Sequence, residues 1–284
     1  MDYFLQIAVN TLITASIYTL LGQSFSLIYS VNKYFDMTIA AYIILGTYTT
    51  YFLQKVGVPC VFAAFMAIIF VSLFAFVVEK FYYQKLRKRK ATAFIFMIAS
   101  LGILTILQAL VAMLFTSNVQ TLTTESTVHH IFGTFFTNVH IASFALALLV
   151  SLGITFALLK TKVGAQLRAI SDNEELALTQ GVKVDKLRAY TISAAAILAS
   201  LAGILYGMDS SIEPLMGMGL LFKGVIAAFI VGLSRTLYVP LGAIILATLE
   251  NAAIWYFSGE WKDFVAFGTL ILVLLIRPSG IIKK

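Results

Sequence analysis

The fold is decided by an uncharged apolar run, ATAFIFMIASLGILTILQALVAMLF, at residues 91–115. A bilayer core about 30 Å thick needs roughly 20 apolar residues of helix for each crossing, and this run is longer than that. Similar runs between charged residues recur along the chain. They predict an all-α, polytopic membrane protein with about nine transmembrane helices, within a range of eight to ten. The predicted spans are approximately 4–29, 37–53, 59–78, 91–115, 139–159, 189–208, 216–233, 237–257 and 263–277.

Composition supports the same class of protein. Of the 284 residues, 60% are hydrophobic and only 12% are charged, whereas a soluble domain carries about a quarter charged residues. Mean hydropathy is +0.94. Since no polar stretch is long enough for a separate soluble domain, residues 1–284 are expected to form one transmembrane domain embedded in a lipid bilayer.

Two of the predicted spans are weaker than the others. The run at 263–277 is short, and the run at 216–233 is interrupted by glycines and contains Lys223. Either segment is compatible with a tilted or a re-entrant helix.

Lysine and arginine residues predict the orientation, because they concentrate in cytoplasmic loops. Six follow the third predicted span, six follow the fifth, and five more fall on the same side by counting spans, which places 17 of 20 cations there. The loop at 160–188 is therefore predicted to be cytoplasmic, with the N-terminus outside and the C-terminus inside. The net charge of +7 follows from topology, so no nucleic-acid partner is expected.

The loop at 116–138 is then external. It is rich in threonine, serine and asparagine, and it contains Glu125, His129 and His130, with His140 nearby. A solvated polar loop explains it better than a metal site, because adjacent histidines point apart and no carboxylate is suitably spaced. No metal site is predicted.

Small residues recur every four positions in the sixth span, at Ala195, Ala199, Gly203 and Gly207. On a helix they form one smooth face on which another backbone can pack closely. Packing inside the bundle is favoured over a dimer interface.

The cytoplasmic loop contains the stretch LRAISDNEELALTQGVKV at residues 167–184. Ser171 followed by Glu174 is a capping box, which starts a helix, and Gly181 is placed to end it in the left-handed conformation. A helix of about two turns is predicted over 171–180. A loop needs no such device, so the helix is interpreted as a docking surface.

Here the sequence resembles a known family. The spacing Glu175-x-Ala177-x-x-x-Gly181 is similar to the coupling loop of ABC importer permeases, and the wider run resembles permeases of the branched-chain amino acid and ribose importers. The tail LIRPSGI at 275–281 resembles the amino acid branch. The resemblance implies that this loop couples the permease to an ATPase, with added bulk not tolerated at Ala177 and Gly181. The implied coupling residues are Arg168, Ala169, Asn173, Glu174, Glu175, Ala177 and Gly181.

Two stretches depart from the amino acid branch. Its usual Asn-Phe-Ala-His-Gly run after the first span is replaced by NKYFDMT at 32–38, in which Asp-Met-Thr is similar to the sugar-type members. The usual Gly-Gly-x-Gly turn after the seventh span is replaced by GLSR at 232–235. The choice between an amino acid and a sugar substrate therefore stays open.

Polar residues within apolar spans are the remaining candidates, because each must pair or face water. Asp36, followed by Thr38, begins the second span, where it either starts a helix or takes part in gating. Lys223 and Glu250 fall at the same depth on consecutive antiparallel spans, which predicts a salt bridge, and a structural pair is favoured over a substrate ligand. Asn251 is the next residue in the chain.

These observations predict the permease subunit of an ABC importer in the cell (inner) membrane, for a small polar solute such as an amino acid. The chain lacks the Gly-x-x-x-x-Gly-Lys-Ser/Thr loop that cradles nucleotide phosphates, so it is expected to bind no cofactor and to be no enzyme, and a partner subunit would use ATP. The resemblance implies as partners two ATPase subunits, a second permease (itself or a paralogue) and an extracytoplasmic solute-binding protein.

Alternatives of other classes stay open. An ion- or proton-coupled secondary transporter working without an ATPase would need several membrane carboxylates, whereas Glu250 is nearly the only deep one. A membrane scaffold would not need an ordered cytoplasmic helix. An intramembrane enzyme would need a set of nucleophile and base, and the sequence suggests none.

Overall fold

A computed structural model describes residues 2–116, 118–123, 127–131 and 134–276. Long helices dominate, as the apolar runs predict. The helices are α1 Asp2–Asn32, α2 Thr38–Lys55, α3 Cys60–Val78, α4 Gln84–Lys88, α5 Ala93–Phe115, α6 Asn138–Lys160, α7 Lys162–Asp172, α8 Glu174–Thr179, α9 Val184–Asp209, α10 Met216–Val231, α11 Val239–Tyr256 and α12 Trp261–Ile276. A π-helical turn, Glu79–Tyr83, joins α3 to α4, and a 3-10 turn, Thr236–Tyr238, precedes α11.

Six helical stretches in the described part of the chain are long and apolar enough to cross a bilayer. They are Leu5–Asn32, Cys60–Lys88, Ala93–Phe115, Asn138–Lys160, Val184–Asp209 and Thr236–Tyr256. The polytopic helical class is thereby confirmed. Helices α10 and α12 have 16 residues each, or about 24 Å at 1.5 Å per residue, which is less than a full bilayer core. The number of nine crossings stays a prediction.

Helix α1 lies at the centre of the bundle, where it packs against α6, α9, α10 and α11. Close approach depends on Gly22, where an added Cβ would lie 2.6 Å from Val239 Cγ1 and 3.0 Å from the backbone oxygen of Gly224. By contrast, α3, α5 and α6 leave most of their apolar side chains exposed. The core helices are thus enclosed by helices whose outer faces suit contact with lipid.

The small-residue face of α9 packs against α2. A Cβ added to Gly203 would lie 2.7 Å from the Ile43 backbone oxygen, and one added to Gly207 would lie 2.8 Å from Thr47 Cγ2. Ala195 and Ala199, which belong to the same face of α9, are fully buried. The predicted role of this face in packing inside the bundle is confirmed.

Four connections lie together on one side of the bundle, which we call the basic face: 33–37, 79–92, 161–183 and 232–238. Lys33 Nζ lies 3.4 Å from Ser171 Oγ and 3.5 Å from Ser234 Oγ, which joins three of them. On the opposite side of the bundle, other contacts connect the loops, among them a β-bridge between Gln120 and Ile212. The prediction that these basic loops share one side is confirmed.

The segment predicted as an external polar loop contains a β-hairpin that the sequence did not predict. Strand β1 (Val128–Ile131) pairs antiparallel with β2 (Thr134–Thr137), and Gln6 of α1 holds it through a 2.8 Å bond from the Phe135 N–H. Glu125 and the side chains of His129 and His130 lie outside the described part of the chain. His140 caps α6 together with Thr137, and its Nε2 lies 2.5 Å from Asp209 Oδ1.

Candidate functional site

The helix predicted over 171–180 is shorter than expected and starts three residues later, at Glu174. Ser171 lies in the last turn of α7, so its backbone is helical and it cannot act as an N-cap. Asn173 leaves the helical region, with φ −154°, and its Oδ1 accepts the Leu176 N–H at 3.0 Å. The predicted capping box at Ser171 is therefore wrong, and Asn173 is the cap of α8.

Gly181 ends α8 in the left-handed conformation, with φ +80°, as predicted. The Val182 N–H bonds to the Ala177 oxygen at 3.1 Å, and the Gly181 N–H bonds to the Leu178 oxygen at 3.0 Å. These two bonds form a Schellman motif. A Cβ at position 181 would meet nothing within 4 Å. Within this chain the constraint on Gly181 is its backbone conformation, and the expected intolerance to bulk at a contact with an ATPase stays a prediction.

The Ala177 side chain points into the protein. It is 2% exposed and packs in a small cluster with Val31, Ile170, Val184 and Leu187. Its size is therefore limited by neighbours within this chain, and its role in coupling to an ATPase stays a prediction. Leu176 and Leu178 project on either side of Ala177, and they are 57% and 52% exposed. The family motif Glu175-x-Ala177-x-x-x-Gly181 contains neither leucine, so the sequence did not predict a role for them.

The remaining predicted coupling residues lie around α8. Glu174 Oε2 lies 2.7 Å from Arg188 Nη2, which ties α8 to α9. Glu175 and Arg168 are exposed, and Ala169 packs against the edge of the Ala177 cluster. The structure thus brings the seven predicted residues together on the basic face, and Arg188 joins them.

Asp36 lies between α1 and α2 and is fully buried. Its Oδ1 accepts bonds from the Thr38 N–H at 2.9 Å, the Thr38 hydroxyl at 2.5 Å and the Tyr83 hydroxyl at 3.1 Å. Burial raises the pKa of the Asp36 carboxyl above its ordinary value, against the opposing effect of these hydrogen bonds. Asp36 therefore holds Thr38, the first residue of α2, while Met37 occupies the N-cap position without a side-chain bond. Tyr83 is a partner that the sequence did not suggest.

A buried ion cluster joins four helices. Lys223 Nζ of α10 lies 2.7 Å from Glu250 Oε1 of α11, so the predicted salt bridge is present. Two further groups belong to it: Asp263 Oδ1 of α12 lies 2.7 Å from Lys223 Nζ, and the Tyr18 hydroxyl of α1 donates to Glu250 Oε2 at 2.6 Å. Each charge in the cluster has a partner of opposite sign, which reduces the cost of burying it.

Asn251 does not take part in this cluster. Its Nδ2 donates to the Ala247 oxygen of its own helix at 2.9 Å. A side-chain amide that bonds back to the preceding turn satisfies itself locally. The structure therefore separates Asn251 from Lys223 and Glu250, with which the sequence analysis grouped it.

Long apolar helices around a buried, ion-paired core, with basic connections and the short helix α8 on one face, define a multi-pass membrane protein. Residues 7–274 match the family described as branched-chain amino acid transport system / permease component. The chain belongs to this family.

Individual relatives align over nearly the whole chain. The high-affinity branched-chain amino acid transport system permease protein BraD of Pseudomonas aeruginosa is 28% identical over 298 residues, covering 99% of this chain and 96% of its own length. The corresponding protein LivH of Escherichia coli is 27% identical with the same coverage. The autoinducer 2 import system permease protein LsrC of Yersinia pestis is 30% identical, over 46% of this chain and 39% of its own. No solved structure gives a significant match.

Proposed function

We propose that this chain is the transmembrane permease subunit of an ATP-driven ABC importer for an amino acid or a related small polar solute. The observation that carries the proposal is the match to the permease family over residues 7–274. Full-length similarity to permeases named for branched-chain amino acid transport favours that substrate class. The partial match to LsrC leaves a different solute as the alternative outcome of a transport assay.

The geometry of α8 supports ATPase coupling. Its exposed Leu176 and Leu178 flank the buried side of the helix on the basic face, where a groove on an ATPase subunit could receive α8 and cover both side chains. The opposite side of α8 is fixed to α9 by Ala177 and by the ion pair between Glu174 and Arg188. Displacement of α8 by a partner would therefore move α9 with it.

The complete importer would contain two ATPase subunits, a second permease and an extracytoplasmic solute-binding protein. Under this proposal the basic face is cytoplasmic, because cationic loops stay on that side of the membrane. The N-terminus then lies outside and the C-terminus inside. ATP would be bound and hydrolysed by the partner subunits, and this chain would alternate between outward and inward openings.

The test is co-purification and transport with the double variant Leu176→Glu/Leu178→Glu. We expect it to insert in the membrane normally but to lose the ATPase subunit and ATP-dependent uptake of labelled leucine, because two carboxylates cannot enter an apolar groove without cost. Leu215→Glu is the matched control, since Leu215 is an exposed leucine outside the basic face. Uptake driven by an ion gradient without ATP would overturn the proposal in favour of a secondary transporter.

A further inference from the structure

A cavity of about 370 Å³ opens on the basic face, beside the start of α5. Three cationic side chains line it, Lys33, Arg87 and Arg188, and one carboxylate does, Glu174. The lining itself has two more positive than negative charges, and because Arg87 also pairs with Glu79 outside the lining, an excess of one positive charge is left. Such an excess in a partly enclosed space attracts anions.

Several polar groups on this lining are buried and have no hydrogen-bond partner among the residues that the structure describes. The Tyr34 side chain is 4% exposed, and its hydroxyl is unpaired. Both polar atoms of the Asn32 amide are unpaired as well, and so is Nε of the buried Arg188. Buried polar groups almost always have partners. Three of these unpaired groups can donate a hydrogen bond, namely the tyrosine hydroxyl, the amide nitrogen and the guanidinium nitrogen.

The N-terminus of α5 adds a further positive end. Ala93, its first residue, lines the cavity, and the capping residue Thr92 makes no side-chain bond to the helix. The first backbone N–H groups of a helix have no partner within it, and the helix dipole favours an anion there. This helix of 23 residues thus faces the same space as the two arginines.

We propose that this cavity binds a phosphate group, either as the headgroup of an anionic membrane lipid or as free phosphate. Arg188 would hold Glu174 through Nη2, as it does in the structure, and the phosphate through Nε. Lys33 and the Tyr34 hydroxyl would complete the shell from the end of α1. A phosphate is an anion with several acceptor oxygens, which suits this number of donors beside a net positive lining.

Both sources of phosphate are compatible with the surroundings. Phe94 and Ile95, directly after the first residue of α5, are exposed apolar side chains that suit contact with lipid tails. The cavity also opens on the basic face, where free phosphate has access. The proposal concerns the phosphate group, and it does not depend on which solute is transported.

The test uses the full-length protein in a neutral detergent. Thermal unfolding is followed while inorganic phosphate replaces chloride at constant ionic strength, and separately while phosphatidylglycerol replaces phosphatidylcholine. We expect the unfolding midpoint to rise with phosphate, with phosphatidylglycerol or with both, and the pattern identifies the source. A wild-type midpoint that responds to neither would overturn the proposal.

Two variants distinguish this site from general surface charge. Tyr34→Phe removes one donor without changing charge, and it should weaken the response about tenfold, as expected for one hydrogen bond to a charged ligand. Tyr82→Phe is the control, because Tyr82 is an exposed tyrosine. Thr92→Asp places a carboxylate on the start of α5, and it should raise the midpoint without ligand and remove most of the response. Wild-type titration curves for both Tyr34→Phe and Thr92→Asp would overturn the assignment.

Discussion

The buried ion cluster makes an asymmetric prediction about its two central residues. In Lys223→Met, the fully buried Glu250 keeps only the Tyr18 hydroxyl at 2.6 Å and Lys262, whose Nζ is 3.9 Å from Oε2. In Glu250→Gln, Lys223 keeps Asp263 at 2.7 Å. The first substitution leaves a buried charge nearly unpaired, whereas the second leaves an ion pair in place.

The magnitudes follow from these remaining partners. Removing one member of a buried pair costs about 3–5 kcal/mol, and we expect that loss of unfolding free energy for Lys223→Met. Glu250→Gln loses one hydrogen bond to a charged group, about 1.5–3 kcal/mol. The double variant Lys223→Met/Glu250→Leu leaves no buried charge at this position and should unfold within about 1 kcal/mol of the wild type. Asp263→Asn is the control, at about 0–1 kcal/mol, because the Asp263 side chain is 75% exposed.

The assay is the free energy of unfolding in mixed micelles, titrated with a denaturing detergent and followed by helical circular dichroism. Transport is measured on the same preparations. A larger loss for Glu250→Gln than for Lys223→Met would refute the role given to Asp263. If both single variants unfold like the wild type but lose transport, the two residues act on the solute, and the structural interpretation of the pair fails.

Three further predictions concern the backbone and one carboxyl. Gly181→Val should uncouple ATP hydrolysis from transport in an insertion-competent protein, at a local cost of about 1–3 kcal/mol, because φ at this position is +80°; Gly181→Asn, which tolerates this conformation, should stay coupled. Gly203→Ala should lower the unfolding midpoint, because its Cβ would lie 2.7 Å from a backbone oxygen, whereas Gly153→Ala, with nothing within 4 Å, should raise it. Since the pKa of Asp36 is raised in the folded protein, its contribution to stability is present at acid pH and is lost as pH rises through that folded pKa. The unfolding midpoint is measured against pH for the wild type and for Asp36→Asn, and the difference between the two profiles should show this loss. Identical profiles would contradict it.

The sequence predicted features that depend on depth along a single helix. Counting residues from the ends of two consecutive antiparallel spans predicts a salt bridge between Lys223 and Glu250. The structure places their charged atoms 2.7 Å apart. Tyr18 and Asp263 belong to the same cluster but come from α1 and α12. Lateral neighbours of that kind depend on how the helices pack, which counting along the chain does not reveal.

Local signals failed where two of them competed. Ser171 and Asn173 are both good capping residues, and the capping-box spacing favoured Ser171. Thr161 already caps α7, accepting the Gly164 N–H at 3.0 Å, and this helix then runs through Ser171 to Asp172. Gly164 allows the sharp corner before it, since a Cβ there would lie 2.2 Å from the Ala157 oxygen. The position of the cap of α8 was thus set by an earlier turn of the chain.

The cluster around Ala177 connects α8 to two of the central helices. Val31 belongs to the end of α1, while Val184 and Leu187 belong to the start of α9. Farther into the bundle, α1 and α9 pack directly against each other, and the Ser24 hydroxyl of α1 donates to the Ala195 oxygen of α9 at 2.8 Å. Because α8 rests on both helices where they meet the basic face, a force applied to Leu176 and Leu178 would act on α1 and α9 together.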